Sequence, residues 1–98
     1  MEIVKNVNGA ECSIALEGRL DTNTAPSLEA EVTALGDDIT SLVFDFEKLD
    51  YLSSAGLRVL LAAKKAMNKQ GTMVIRHVND SIMDVFDITG FTDILTIE

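Results

Sequence analysis

The chain has 98 residues, of which 47% are hydrophobic and 24% are charged, and this length predicts one small domain over residues 1–98. Its 16 acidic and 8 basic residues give a formal net charge of −8 at pH 7. Because phosphate backbones and anionic bilayers are bound through Lys and Arg, we expect neither nucleic acid nor a membrane surface as a partner.

Two further features indicate a cytoplasmic protein. The single cysteine, Cys12, lies in an alternating apolar stretch and is interpreted as a buried thiol in a reducing compartment. No stretch approaches the ~18 to 20 apolar residues that span a bilayer, so membrane insertion is not expected.

The first predicted element is a β-hairpin. Apolar residues alternate on both sides of Asn8-Gly9, a dipeptide that favours a type I′ turn because both central residues of that turn adopt positive φ. The strand pattern then breaks at Gly18–Thr24. Pro26 fits the first turn of a helix that runs to about Leu35 and stops at Gly36.

The rest of the chain alternates strands and helices. The run Leu42–Phe46 is nearly continuous in apolar residues, which predicts a central strand covered on both faces. The next elements are a largely buried helix over Leu57–Met67, a strand over Thr72–Val78 and a third helix from Asn79 or Asp80 to Gly90. The tail, residues 94–97, fits either a short strand or a helix.

The element order β-β-α-β-α-β-α predicts an α/β fold. Its mixed sheet has three parallel strands plus an antiparallel N-terminal edge strand and is packed with helices. In such sheets the accessible site lies at the carboxyl ends of the parallel strands. We therefore expect two segments, Gly18–Thr24 and Leu49–Gly56, to converge into the functional surface.

Catalysis and metal binding have little support in the sequence. A hydrolytic nucleophile needs an oriented base, but the single histidine, His77, ends a strand pattern and is interpreted as a structural or solvent-exposed residue. Side-chain metal sites usually cluster His or Cys, whereas His77 and Cys12 lie 65 positions apart. We expect a protein that is not an enzyme and that has no metal and no cofactor.

Two adjacent serines precede the predicted buried helix. A serine at a helix N-cap accepts a backbone N–H and stabilises the helix by about 1 kcal/mol, so one serine needs no further explanation. Capping needs only one of Ser53 and Ser54, so the second serine is unexplained. The small Ala55-Gly56 pair leaves both hydroxyls uncrowded. This arrangement suits a hydroxyl that reacts or is recognised.

Three segments of the chain resemble the STAS domain, and in particular the single-domain bacterial anti-sigma factor antagonists: Leu52–Leu61 (LSSAGLRVLL), Gly18–Ala25 and Phe86–Phe91. The resemblance covers essentially the whole chain. It implies a mixed-sheet STAS fold and a phosphoprotein that regulates transcription by partner switching. In that scheme the unphosphorylated protein docks on an anti-sigma factor serine kinase and is released when phosphorylated, and a metal-dependent serine phosphatase removes the phosphate.

The resemblance also implies which residues form the site. The family's phosphoacceptor lies two positions before the glycine, which corresponds to Ser54, while Ser53 stands where many members have aspartate and is the alternative acceptor. Arg58 either pairs with a phosphate or an acidic partner or is simply an exposed helix residue. The expected partner-binding residues are Asp21, Thr22, Asn23, Tyr51, Ser53, Ser54, Ala55, Gly56 and Arg58.

A second interpretation comes from the same resemblance. Some STAS proteins are constitutive, non-phosphorylated accessory subunits of membrane transport complexes, and they also have serine near this glycine. The motif alone does not separate a phosphorylation-switched binding module from such a subunit.

Overall fold

The computed structural model describes residues 1–98 and contains one five-stranded sheet in the order β1-β2-β3-β4-β5. The strands are β1 (Glu2–Asn8), β2 (Glu11–Leu20), β3 (Ser41–Leu52), β4 (Thr72–Arg76) and β5 (Thr96–Ile97). The α-helices are α1 (Ala25–Thr33), α2 (Ser54–Met67) and α3 (Asp80–Thr89), and a short 3₁₀ helix spans Phe91–Asp93. Strand β1 is antiparallel to β2, and the other neighbours are parallel.

The predicted α/β order is confirmed, and the tail adds one strand to it. Thr96 and Ile97 pair with Val74 and Ile75 of β4, so the sheet has four parallel strands and not the three that were predicted. None of the helices combines the length and the apolar character needed to cross a membrane.

The N-terminal hairpin forms as predicted, but its turn lies one residue later. Asn8 pairs with Glu11 as the last rung of the ladder, so the two-residue loop is Gly9-Ala10. Gly9 has φ +62°, whereas Asn8 is not among the residues with positive φ. A glycine alone at the first central position is the pattern of a type II′ turn, which also matches the twist of the strands.

All three helices cover one face of the sheet. Successive neighbours follow chain order, so right-handed crossovers carry each helix over the same side. Burial alternates along β3 accordingly: Leu42, Phe44 and Phe46 are buried, while Val43 and Asp45 are only half-buried. The expectation that this strand is covered on both faces is therefore wrong, and the sheet has an open face.

The core lies between the sheet and the helices. Its fully buried side chains include Ile14, Leu16, Leu20, Leu28, Leu42, Phe44, Phe46, Leu49, Leu60, Met73, Ile75 and Phe86. Cys12 is buried among them as predicted, and burial raises the pKa of its thiol.

The helix bounds differ slightly from the predictions. Pro26 lies in the first turn of α1 as expected, but α1 ends at Thr33, before the predicted end at Leu35. Helix α2 begins earlier, at Ser54, and its outer face is exposed, so it is amphipathic and not largely buried. Asn79 caps α3 through its side chain, and Gly90 ends that helix with φ +78°.

Strands β2 and β3 bring the predicted segments together. Strand β2 continues to Leu20 through two register shifts, with Gly18 at φ +102°, so the first part of Gly18–Thr24 is bulged strand and not loop. Arg19 pairs with Tyr51, and Leu20 pairs with Leu52. The two segments therefore meet at the carboxyl ends of β2 and β3, as predicted.

Candidate functional site

The candidate site is built around the N-terminus of α2, where the two serines have different environments. Ser53 is the N-cap: its backbone is extended (φ −94°, ψ 173°) and its hydroxyl accepts the Gly56 N–H at 3.3 Å. Its own N–H donates to the Leu20 carbonyl at 2.9 Å, which ties the start of α2 to the end of β2. The Ser53 hydroxyl thus has a structural role.

Ser54 is the first residue of α2 and is exposed. Its hydroxyl makes no side-chain hydrogen bond. In particular, it is not bonded to a basic group that could deprotonate it. At a helix N-terminus, free backbone N–H groups and the helix dipole favour an anion. Ser54 therefore presents an exposed, unbonded hydroxyl at a position that favours an anion.

Gly56 sets how closely α2 approaches the sheet. A Cβ at this position would lie 2.7 Å from Leu20 Cγ and 2.7 Å from Leu52 Cδ1, both of which are buried core atoms. The residue is itself buried, and Ala55 is half-buried. Gly56 thus positions the start of the helix. Although we expected it among the partner-binding residues, it is buried in the core.

The loop before α1 is the second part of the site. Asp21 Oδ1 accepts the N–H groups of Asn23 at 3.0 Å and Thr24 at 3.1 Å, and its own N–H donates to the Thr24 hydroxyl at 2.8 Å. Partial desolvation raises the pKa of Asp21, but these hydrogen bonds and the charge of Arg19 outweigh that effect and hold the pKa below its usual value. The loop therefore presents a fixed, ionised carboxylate, with Thr22 and Asn23 exposed beside it.

One residue of this surface, Arg19, was missed by the sequence analysis. Its guanidinium lies 4.1 Å from the ring centroid of Tyr51, and its Nε is 3.8 Å from Asp21 Oδ2. Tyr51 is 41% exposed, so the stacked pair lies at the surface. No local pattern in the sequence indicates this contact, because it depends on the pairing of position 19 in β2 with position 51 in β3.

A shallow groove of about 190 Å³ separates α1 from α2 on the same side. Arg58 and Glu29 line it from opposite helices, together with Ala55 and Thr22. Arg58 is exposed and forms no ion pair, so its charge is available to a phosphate or to a partner. The groove is smaller than the ~300 to 1,000 Å³ of typical small-molecule pockets, which favours recognition of a surface.

Two further polar residues, His77 and Asp50, are exposed. His77 is exposed and its Nδ1 lies 2.9 Å from Asp45 Oδ1, away from the serines. This hydrogen bond raises the pKa of His77 and lowers that of Asp45. Asp50 is exposed on β3, three positions before Ser53.

The fold and the site define a small α/β domain whose candidate site lies at the carboxyl ends of two parallel strands. The chain belongs to the STAS domain family, which it matches over residues 2–98. The resemblance found in the sequence is thereby confirmed.

Named relatives and solved structures agree with this assignment. BtrV of Bordetella bronchiseptica, a candidate anti-sigma factor antagonist, is 40% identical over 84 residues, which are 84% of this chain and 72% of BtrV. The anti-sigma-B factor antagonist of Bacillus subtilis is 29% identical over 98 residues, 99% of this chain and 88% of that protein. The phosphorylated form of the Bacillus cell fate determinant SpoIIAA shares the fold, with a TM-score of 0.78 at 18% identity over 99% of this chain and 91% of SpoIIAA.

These relatives are regulatory binding proteins and not enzymes. The expectation of a protein without catalysis of its own is confirmed by that kinship.

Proposed function

We propose that this protein is a single-domain cytoplasmic anti-sigma factor antagonist whose docking on an anti-sigma factor serine kinase is switched off by phosphorylation of Ser54. The observation that carries the proposal is the contrast between the two serines. Ser53 uses its hydroxyl to cap α2, while Ser54 presents an exposed, unbonded hydroxyl at the helix start.

The names of the relatives support both halves of the proposal. BtrV and the Bacillus subtilis protein are named as anti-sigma factor antagonists, and SpoIIAA has been solved in unphosphorylated and phosphorylated forms. A metal-dependent serine phosphatase is the proposed partner that restores the unphosphorylated state.

The surface charges explain how a phosphate acts as a switch. A phosphoserine carries about −1.5 to −2 charges at pH 7, and the α2 N-terminus stabilises an anion by ~0.3 to 1 kcal/mol. Asp21 and Asp50 oppose the phosphate, since a unit like charge at 4 Å costs about 1 kcal/mol in bulk water. In the free protein Ser54 is exposed and water screens this repulsion, so the fold accepts the modification.

Docking changes this balance. When a partner covers the site and removes water, the same like charge costs about 4 kcal/mol at an effective dielectric of 20, while the dipole contribution changes less. Arg19, held between Tyr51 and Asp21, offers a fixed cation to an acidic partner residue at the edge of the surface. Phosphorylation therefore weakens binding without unfolding the domain.

The first experiment locates the phosphate. The purified protein is incubated with ATP and each anti-sigma factor kinase of its host in turn, and the modified residue is identified by mass spectrometry. We expect phosphate on Ser54, retained in Ser53→Ala and lost in Ser54→Ala. A kinase-bound protein that is never phosphorylated, or one modified at Ser53 alone, would contradict the proposal.

A second experiment separates binding from stability. Ser54→Asp adds negative charge at the same position, so we expect its affinity for the kinase to fall about tenfold or more while the melting temperature changes little. Ser54→Asn is the matched uncharged control and should bind like the wild type. A large fall in melting temperature with unchanged affinity would exclude the electrostatic switch.

A further inference from the structure

A second cluster of polar side chains lies on the open face of the sheet, outside the Ser54 surface. Asp45 and Glu47 come from β3, and His77 directly follows β4. One ligand atom from each of the three, an imidazole nitrogen and two carboxylate oxygens, lies within 4.8 Å of the others. Three possible ligands, two from β3 and one from the residue after β4, thus lie close together.

The backbone holds this cluster in place. His77 has φ +61° and is the one non-glycine residue with positive φ. For a histidine this left-handed conformation is uncommon and unfavourable, and such residues concentrate at functional positions. In this conformation the His77 ring lies with its Nδ1 2.9 Å from Asp45 Oδ1. The Glu47 N–H donates a hydrogen bond to the same oxygen at 3.0 Å.

The cluster also contains a carboxylate without a bonding partner and borders an open depression. The Glu47 side chain takes part in none of the hydrogen bonds or ion pairs of the structure, whereas the nearest arginine, Arg76, is paired with Glu98 at 3.0 Å. Asp45 and Glu47 border a depression of about 260 Å³ that Val4 and Lys48 also line. There is room for water on a bound ion.

We propose that Asp45, Glu47 and His77 form a binding site for a divalent transition-metal ion of the zinc type. Imidazole nitrogen combined with carboxylate oxygen suits Zn²⁺, Co²⁺ and Ni²⁺, whereas Mg²⁺ and Ca²⁺ prefer oxygen ligands alone. Two carboxylates balance the charge of the ion, and water completes its coordination. No local pattern in the sequence predicts this site, because its two carboxylates lie 32 and 30 positions before His77.

The site acts independently of the proposed phosphorylation. It links the middle of β3 with the residue that follows β4, so metal binding stabilises the folded state by mass action. Cys12 is 1% exposed and does not compete for the ion. Since His77 is the chain's single histidine, one imidazole reports on binding.

The test uses untagged, chelator-stripped protein titrated with ZnCl₂ in a calorimeter and with CoCl₂ in a visible spectrometer. We expect one ion per chain, a shift of the His77 ring signals in the ¹H NMR spectrum and a higher melting temperature with Zn²⁺. Glu47→Gln and His77→Asn should each lower the affinity for Zn²⁺ by about tenfold or more, as loss of ligand-shell groups does elsewhere.

His77→Asn should remove the metal ligand without unfolding the protein. Asparagine tolerates the left-handed backbone and can still hydrogen-bond to Asp45, so the melting temperature without metal should not fall. Glu17→Gln, on the rim of the same depression, is the control that should bind like the wild type. Absence of stoichiometric Zn²⁺ binding would overturn the proposal, and so would binding that survives His77→Asn or that Mg²⁺ matches.

Discussion

At the scale of single residues, adjacent positions of this chain have separate physical roles. Ser53 and Ser54 have the same side chain, but only the Ser53 hydroxyl accepts a backbone N–H at the α2 N-terminus. The position of each serine relative to the start of α2, and not its chemistry, makes Ser53 structural and leaves the Ser54 hydroxyl free.

Substituting each serine by alanine should separate these roles. We expect Ser53→Ala to lower the free energy of unfolding by about 1 kcal/mol, because the Gly56 N–H loses its acceptor. Ser54→Ala should change it by less than about 0.5 kcal/mol, as at other exposed positions without contacts. Urea denaturation measures both, and equal losses in the two variants would contradict this division.

Gly56 provides a second test at this scale. Alanine normally stabilises a helix by ~1 kcal/mol relative to glycine, but a Cβ here would lie 2.7 Å from core atoms of Leu20 and Leu52. We therefore expect Gly56→Ala to destabilise the protein by about 1 to 3 kcal/mol, the usual cost of overpacking. Ala62→Gly, on the exposed face of α2, calibrates helix propensity in the same denaturation assay. A more stable Gly56→Ala variant would show that the helix shifts at no cost.

At the scale of elements, the sequence predicted order and type better than bounds and faces. The hairpin and the polar residues at the starts of α2 and α3 follow from local chemistry, since turn glycines and N-cap side chains act within a few residues. The turn nevertheless lies at Gly9-Ala10 and not at the predicted Asn8-Gly9, because strand register is decided across the whole ladder.

Tertiary placement accounts for what the sequence did not predict at the site. Gly18 looked like the end of a strand, but β2 continues past it as a bulge because Arg19 and Leu20 pair with β3. That pairing stacks Arg19 on Tyr51 and places Gly56 against Leu20 and Leu52. The contacts of Arg19 with Tyr51 and of Gly56 with Leu20 join residues 32 and 36 positions apart, beyond the range of any local pattern.

The loop between β2 and α1 makes a prediction about pH. Because hydrogen bonds hold the folded pKa of Asp21 below its unfolded value of about 3.9, its charge stabilises the fold above that pH. The contribution is lost as the pH falls through the lower folded pKa. The stability difference between wild type and Asp21→Asn should thus be constant above about pH 5 and shrink below about pH 4.

Urea denaturation between neutral and acidic pH measures that difference. Asp50→Asn serves as the control, since it removes one charge from an exposed position whose carboxylate makes no hydrogen bond in the structure. A difference between wild type and Asp21→Asn that does not vary with pH would mean that the hydrogen bonds, and not the ionised state, supply the stability.

At the scale of the whole molecule, the net charge of −8 is spread over a body of 33 × 27 × 20 Å. Three Lys or Arg side chains form ion pairs, with Glu31, Asp21 and Glu98, and His77 lies against Asp45. Most of the 16 carboxylates therefore have no ion-pair partner. Long-range repulsion between them should outweigh the few attractive pairs.

Ionic strength tests this balance. The Debye length is about 30 Å at 0.01 M salt, comparable with the longest dimension of the protein, and about 10 Å at 0.1 M. Adding NaCl across that range should therefore screen repulsion more than it weakens close pairs and should raise the melting temperature. Each ~1 kcal/mol gained corresponds to a shift of about 4 to 8 °C in a domain of this size.

The same experiment connects total charge with the proposed switch. Phosphorylation of Ser54 adds about two negative charges to a molecule that already repels itself, so the modified protein should gain more from salt than the unmodified one. The double variant Asp37→Asn, Asp38→Asn, which removes two charges from the loop before β3, should gain less. Melting curves by circular dichroism at several NaCl concentrations give all three slopes. A melting temperature that falls with salt would show that the ion pairs dominate, and the phosphate would then act through its local contacts alone.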